Sequence, residues 1–148
     1  MNYLHAFAIS AAGMSVERTR VDVSALNLAN ANTVQSADGN GYRPLRATVL
    51  AGATPGFSAL VGDRLDADKI GMLPSVAVLP ADVNPRLAYE PGHPMANERG
   101  FVAYPGVDTA TEMVTLMSAM RSYEANVAAM NTARNLALKT LDIGGGNT

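Results

Sequence analysis

Cysteine is absent from this 148-residue chain, histidine occurs only twice, and the formal net charge is −2. Without thiols, neither a disulfide framework nor a thiolate metal site can form. A charge so close to balance gives no electrostatic reason to expect nucleic acid, whose phosphates draw basic patches. No apolar run approaches the roughly 20 residues needed to span a bilayer. The opening Met1-Asn2-Tyr3-Leu4-His5 lacks the basic segment of a cleavable secretion signal. A cytoplasmic location, or export by a machine that does not cleave its cargo, is therefore expected. The length fits one ordinary domain, or a helical bundle with a small inserted module.

Apolar patterning is what the chain does have. Hydrophobic residues make up 48% of it, and two long stretches arrange them at heptad spacing. The first seam reads Leu4, Phe7, Ala11, Met14, Arg18, Val21, Ala25, Leu28. The second reads Met113, Leu116, Met120, Tyr123, Val127, Met130, Arg134, Ala137, Leu141. Alternating steps of three and four keep such side chains on one narrow helical stripe suited to coiled-coil packing. In a chain this apolar, about half of any seam is apolar by chance, so the signal lies in its recurrence at both termini. Each seam holds one arginine. Arg18 and Arg134 either set register inside an interface or lie at its edge, alkyl stem packed and guanidinium in water. The first helix also has a second apolar flank, Ile9, Ala12, Val16, Val23 and Leu26. Pairing within one chain covers one stripe only. At roughly 1.5–3 kcal/mol for each buried side chain, the uncovered flank favours association.

Three parts separate along the chain. Residues 1–32 read as an N-terminal helix that Asn2 can cap. It ends at Asn30-Ala31-Asn32-Thr33, where short polar side chains bond their own backbone. Gly13 inside it costs roughly 1 kcal/mol relative to alanine, which implies close approach of a neighbouring backbone. Residues 33–108 contain all eight prolines and β-prone runs at 46–50, 76–79, 87–89 and 101–104. The stretch 51–75 has little periodicity and is expected to be partly mobile until something packs on it. Residues 109–148 read as a C-terminal helix with a short glycine-rich tail. It opens on Thr109-Ala110-Thr111-Glu112, the spacing of a capping box, and runs to about residue 143, before Gly144-Gly145-Gly146. The expected fold is mainly α with a small irregular β-containing insert, the long terminal helices packing as a coiled-coil-like pair.

Catalytic chemistry finds little footing. His93 sits in Glu90-Pro91-Gly92-His93-Pro94, a stretch that proline and glycine fix as a turn. Glu98 is near, but no second nitrogen or sulfur ligand is, so a turn histidine bonded to backbone is expected. His5 lies beside the first seam. Ser10, Ser15, Ser58 and Ser118 lack the glycines of a nucleophile elbow. Gly39-Asn40-Gly41 is a turn signal without the lysine and helix start of a phosphate loop. Asp63, Asp66 and Asp68 look like a solvated acidic loop. No cofactor, metal or catalytic residue is expected, and Met113, Met117, Met120 and Met130 read as adaptable core or interface fillers.

The residues also resemble a known family. Ser10-Ala11-Ala12-Gly13-Met14, then Arg18 to Asp22 and Asn27-Leu28-Ala29-Asn30-Ala31-Asn32-Thr33, resembles the N-terminal signature of bacterial flagellar rod and hook proteins. Tyr42-Arg43 looks like the end of that signature. Tyr89-Glu90-Pro91-Gly92-His93-Pro94 and Gly100-Phe101-Val102-Ala103-Tyr104-Pro105 narrow the resemblance to the proximal-rod branch. So does Glu112-Met113-Val114 with Ala119, Arg121, Ser122, Tyr123, Glu124, Ala125 and Asn126. The likeness spans essentially the whole chain. Gly106 stands where the family usually has asparagine, Met95 where an aspartate is common, and no proline precedes Tyr42.

That resemblance implies a structural subunit of an axial drive shaft that transmits motor torque, its terminal helices packing in the inner layer. It implies export through the flagellar type III channel without cleavage, and a place in the basal-body rod in the periplasmic space. The implied partners are other copies of the chain, other flagellar rod proteins, the rod adaptor and membrane-ring proteins at the base, and the export apparatus. The assembly interface is expected at Leu4, Phe7, Ala11, Met14, Val21, Leu28, Met113, Leu116, Met120, Tyr123, Val127, Met130 and Leu141. A heterologous contact that repeats without closing yields a helical tube, and the monomer is expected to order its ends on assembly. Two other classes stay open. A helical adaptor or export chaperone would form discrete complexes of fixed stoichiometry. An enzyme acting on cell-wall glycan would need a pair of carboxylates in a cleft.

Overall fold

The computed structural model describes residues 3–34, 41–50 and 74–145. Helix α1 (Tyr3–Asn30) leads to strands β1 (Leu45–Leu50), β2 (Ser75–Pro80), β3 (Arg86–Tyr89) and β4 (Phe101–Tyr104), and helix α2 (Thr109–Gly145) closes the chain. The architecture is mainly α with a small β-containing insert. Each strand falls on one of the β-prone runs. They form two-stranded sheets, β1 with β2 and β3 with β4. The second sheet is antiparallel, with Arg86 opposite Tyr104 and Tyr89 opposite Phe101. Helix α2 extends to Gly145, two residues past the expected stop, because glycine near a helix end weakens the last turn without forbidding it. Most of the aperiodic stretch 51–75, with Ser58, Asp63, Asp66 and Asp68, and the Gly39-Asn40 turn lie outside the described residues.

The chain divides into two compact units: a terminal unit of Met1–Arg18, Val49–Ala77 and Met120–Thr148, and a central unit of Thr19–Thr48 and Val78–Ala119. In the terminal unit Val16 is buried, with Ala12 and Met14 of α1 and Asn126, Val127, Met130, Ala133 and Ala137 of α2 half-buried. Gly13 of α1 faces Asn126 of α2 there. A Cβ built on it would lie 2.9–3.1 Å from the Asn126 carboxamide. The glycine thus makes room for a side chain, not for the neighbouring backbone its presence implied.

The core of the central unit is built from Val23, Ser24 and Asn27 of α1, Ala31 in the turn after it, Pro44, Val102 and Pro105 of the insert, and Ala119 of α2. The β3–β4 hairpin is tied at several points. Tyr89 meets Phe101 edge-to-face at 5.3 Å between ring centroids, and the Arg86 guanidinium lies 5.1 Å from the Tyr104 ring centre. In the connection, Asn97 Oδ1 accepts from the backbone N–H of Arg99 and of Phe101. Gly100 there has a φ of +77° and leaves only 2.9 Å between an added Cβ and the Tyr89 ring, so a side chain at this position is disfavoured twice. His93 Nδ1 accepts from the Met95 N–H at 3.1 Å, the backbone-bonded turn histidine that proline and glycine implied.

The start of α2 differs from the expected capping box. Asp108, one residue earlier, is the cap: Oδ1 accepts from the Ala110 N–H at 3.1 Å and Oδ2 from the Thr111 hydroxyl at 2.6 Å. These bonds hold the Asp108 carboxyl below the usual carboxylate range. Its stabilising effect is therefore present above the ordinary aspartate value and is lost as pH falls through the lowered one. Glu112, the acid of the supposed box, reaches across to α1 instead.

Candidate functional site

Asn27 explains where Glu112 goes. The asparagine is 1% exposed, and a buried carboxamide must find partners for two N–H donors and a carbonyl oxygen with two lone pairs. All are supplied. Nδ2 donates to the Leu45 carbonyl and to Glu112 Oε1, each at 2.9 Å. Oδ1 accepts from the Tyr42 hydroxyl at 2.7 Å and from the Leu45 N–H at 2.9 Å. One side chain therefore ties the end of α1, the entry to β1 and the first turn of α2. Burial, and then the nearby Glu112 charge, push the Tyr42 phenol above its ordinary pKa, which keeps it protonated as the donor this arrangement needs. In the sequence Asn27 stood out only as the first residue of Asn27-Leu28-Ala29-Asn30-Ala31-Asn32-Thr33, part of the stretch that carries the family resemblance. Its place one turn beyond Val23, on the line that turns inward, was the available signal.

The helix faces come next. On α1, Phe7, Met14, Val21 and Leu28 of the expected interface are half-buried and Ala11 is exposed, while the Leu4 side chain lies outside the described residues. The buried apolar positions are Val16 and Val23, both on the second apolar flank, whereas Ile9 and Leu26 of that flank are exposed. On α2, Leu116, Val127 and Met130 are half-buried, and Met113, Met120, Tyr123 and Leu141 are exposed. The inward line of α2 is small or polar: Glu112, Thr115, Ala119, Ser122, Asn126, Ala133 and Ala137. It runs largely one residue out of phase with the seam, about 100° around the helix axis. Small side chains inside let backbones come close; Leu116, Val127 and Met130 are half-buried beside them, and Met113, Met117, Met120, Tyr123 and Leu141 are left outside. Arg18 and Arg134 are exposed.

Chemical groups are placed for holding, not for reacting. Among the described residues no cluster of three or more histidines and carboxylates could hold a metal ion. Three grooves in the central unit each carry a single carboxylate: Asp108, Glu112 and Asp82. Asp108 is committed to its helix cap and Glu112 to Asn27. Glycan hydrolysis by the usual route needs two carboxylates facing one bond, and none of these grooves offers them. No helix of the described residues is long and apolar enough to cross a membrane.

Comparison with known proteins gives these features relatives. Residues 98–143 match the family described as flagellar basal body rod FlgEFG protein C-terminal. The chain is similar over its length to the flagellar basal-body rod protein FlgC of Escherichia coli O6:H1 strain CFT073, 39% identical over 144 residues that cover 97% of this chain and 99% of that protein. Its likeness to the flagellar basal-body rod protein FlgC of Salmonella typhimurium strain LT2 is 36% over 144 residues, with the same coverage. The protein of that name from Bacillus subtilis strain 168 is 36% identical over 149 residues, again covering 97% of this chain and 99% of the relative.

Proposed function

The chain belongs to the FlgC family of flagellar basal-body rod proteins, as a structural subunit and not an enzyme, and we propose that it joins the rod by burying the outer faces of α1 and α2 against neighbouring subunits. One observation carries this reading. Met113, Met117 and Met120 recur at steps of four and three on α2 and stay 59%, 56% and 48% exposed, with Tyr123 and Leu141 also outside. Scattered exposed apolar side chains need no explanation, but an aligned series of large ones marks a surface awaiting a partner. Covering each gains roughly 1.5–3 kcal/mol.

On this reading residues 1–32 and 109–148 are the axial helices, packed as a coiled-coil-like pair, and 33–108 is a module turned toward other components. The interface takes in the heptad residues of both helices, with Met113, Met120, Tyr123 and Leu141 its most accessible members. The partners are further copies of the chain, other rod proteins, the rod adaptor and membrane-ring proteins, and the export apparatus. The site of assembly is the rod in the periplasmic space, reached without cleavage of a signal.

Met113→Asp and Met117→Asp test the proposal. Both side chains point to solvent, so each variant folds and is exported, while rod assembly and swimming fail. Normal motility in both variants overturns the reading. Leu116→Asp and Val127→Asp disrupt assembly too, but those half-buried positions also touch the interior of the subunit.

A further inference from the structure

We infer that Met113, Met117 and Met120 form an oxidation site whose conversion to methionine sulfoxide blocks association of the unassembled subunit. The effect on association rests on the interface proposed above; the site itself does not. With eight methionines and no cysteine, the chain has thioethers as its sole sulfur chemistry, and no thiol competes for an oxidant. Among the described methionines, these three have the largest exposures, against 38% for Met95 and half-burial for Met14 and Met130. Their spacing places all three along one helical stripe. An oxidant that reaches one reaches the others.

The step balances with hydrogen peroxide as the oxidant. A lone pair on sulfur attacks one peroxide oxygen, the O–O bond breaks, an S–O bond forms, and the displaced hydroxide takes up the proton carried by the transferred oxygen to leave as water. Sulfur is oxidised and the peroxide reduced. The product is a polar, strongly hydrogen-bond-accepting sulfoxide where a flexible apolar chain stood. Packing it into an apolar contact without a donor weakens association by about tenfold or more for each buried sulfoxide. Reductases specific for the two sulfoxide epimers restore the thioether, so the change is reversible. A subunit already in an assembly would have the stripe covered, and only unassembled subunits would respond.

The test treats the purified full-length chain with limiting hydrogen peroxide and maps the oxygen added to each methionine by peptide mass spectrometry. Met113, Met117 and Met120 should react ahead of Met95, Met14 and Met130. Equal or reversed rates overturn the site. In parallel, sedimentation compares association before and after treatment for the wild type and for the triple variant M113L/M117L/M120L, each against its own untreated sample. Wild-type association should fall by about tenfold or more and recover with the two reductases, while the ratio for the variant stays near one. Oxidation at the three sites with unchanged wild-type association overturns the effect, as does equal sensitivity of the variant. An untreated wild type that never associates counts against the effect together with the proposed interface, and the mapping still decides the site.

Discussion

The surroundings of Asn27 and the outer stripe of α2 are opposites. Around Asn27 a buried polar side chain meets the Leu45 backbone, Tyr42 and Glu112, and its bonding capacity is filled within the chain. Along Met113, Met117 and Met120, large apolar side chains stand in water. A region whose physical demands are met internally works for the fold. One whose demands are left open works for something outside it. The two lie next to each other, since Glu112 directly precedes Met113: the first turn of α2 bonds inward through one residue and faces outward through the next.

The sharpest way to break this contrast is Asn27→Ala. It leaves the Leu45 N–H and carbonyl, the Tyr42 hydroxyl and Glu112 short of a partner, and should lower stability by about 3 kcal/mol or more, read as a fall in the urea midpoint. A loss below about 1 kcal/mol would mean that water replaces the asparagine without penalty. Next in size is Gly106→Asn. A Cβ there would overlap the Asn84 carbonyl oxygen and come within 2.7 Å of Val83 Cγ1, so a cost of about 1–3 kcal/mol is expected. An unchanged melting temperature would show that the 83–84 backbone gives way.

Tyr42→Phe removes one bond of the Asn27 set and should cost about 1 kcal/mol at neutral pH. It also has a signature in pH. The Tyr42 phenol is raised above its ordinary 10.0 in the folded chain. Its contribution is thus complete below that value and is lost as pH rises from there through the folded value. The phenylalanine variant should lose less stability on that alkaline limb than the wild type. The smallest effect completes the contrast: Met113→Asp, on the open side, should shift the unfolding midpoint by less than about 0.5 kcal/mol, although it abolishes assembly.

Much of the fold was legible because it rests on local signals. β-branched and aromatic runs between prolines marked the four described strands, and heptad repeats marked the two described helices. The phase of the helices was harder to read. Seam counting rewards large apolar residues, whereas the chain turns Thr115, Ala119 and Ser122 inward, because small side chains permit close helix packing and a hydrophobicity pattern gives them no weight. The cap of α2 was misjudged by one residue, since Asp108 and Thr109 are both good caps and only tertiary structure shows that Glu112 is engaged elsewhere. Asn27 could not be understood locally at all. Its partners lie 15, 18 and 85 residues away.

The longest of those separations carries a consequence for a subunit still being made or delivered. Closing a loop of that length is entropically slow and is repaid only when its far end is present. A chain truncated before Glu112 holds an asparagine poised in a half-finished pocket, with nothing to complete it. The tie therefore forms only once the chain extends to Glu112. Only a polypeptide that has arrived as far as Glu112 can set the beginning of α2, and with it turn the neighbouring methionines toward whatever waits to receive them.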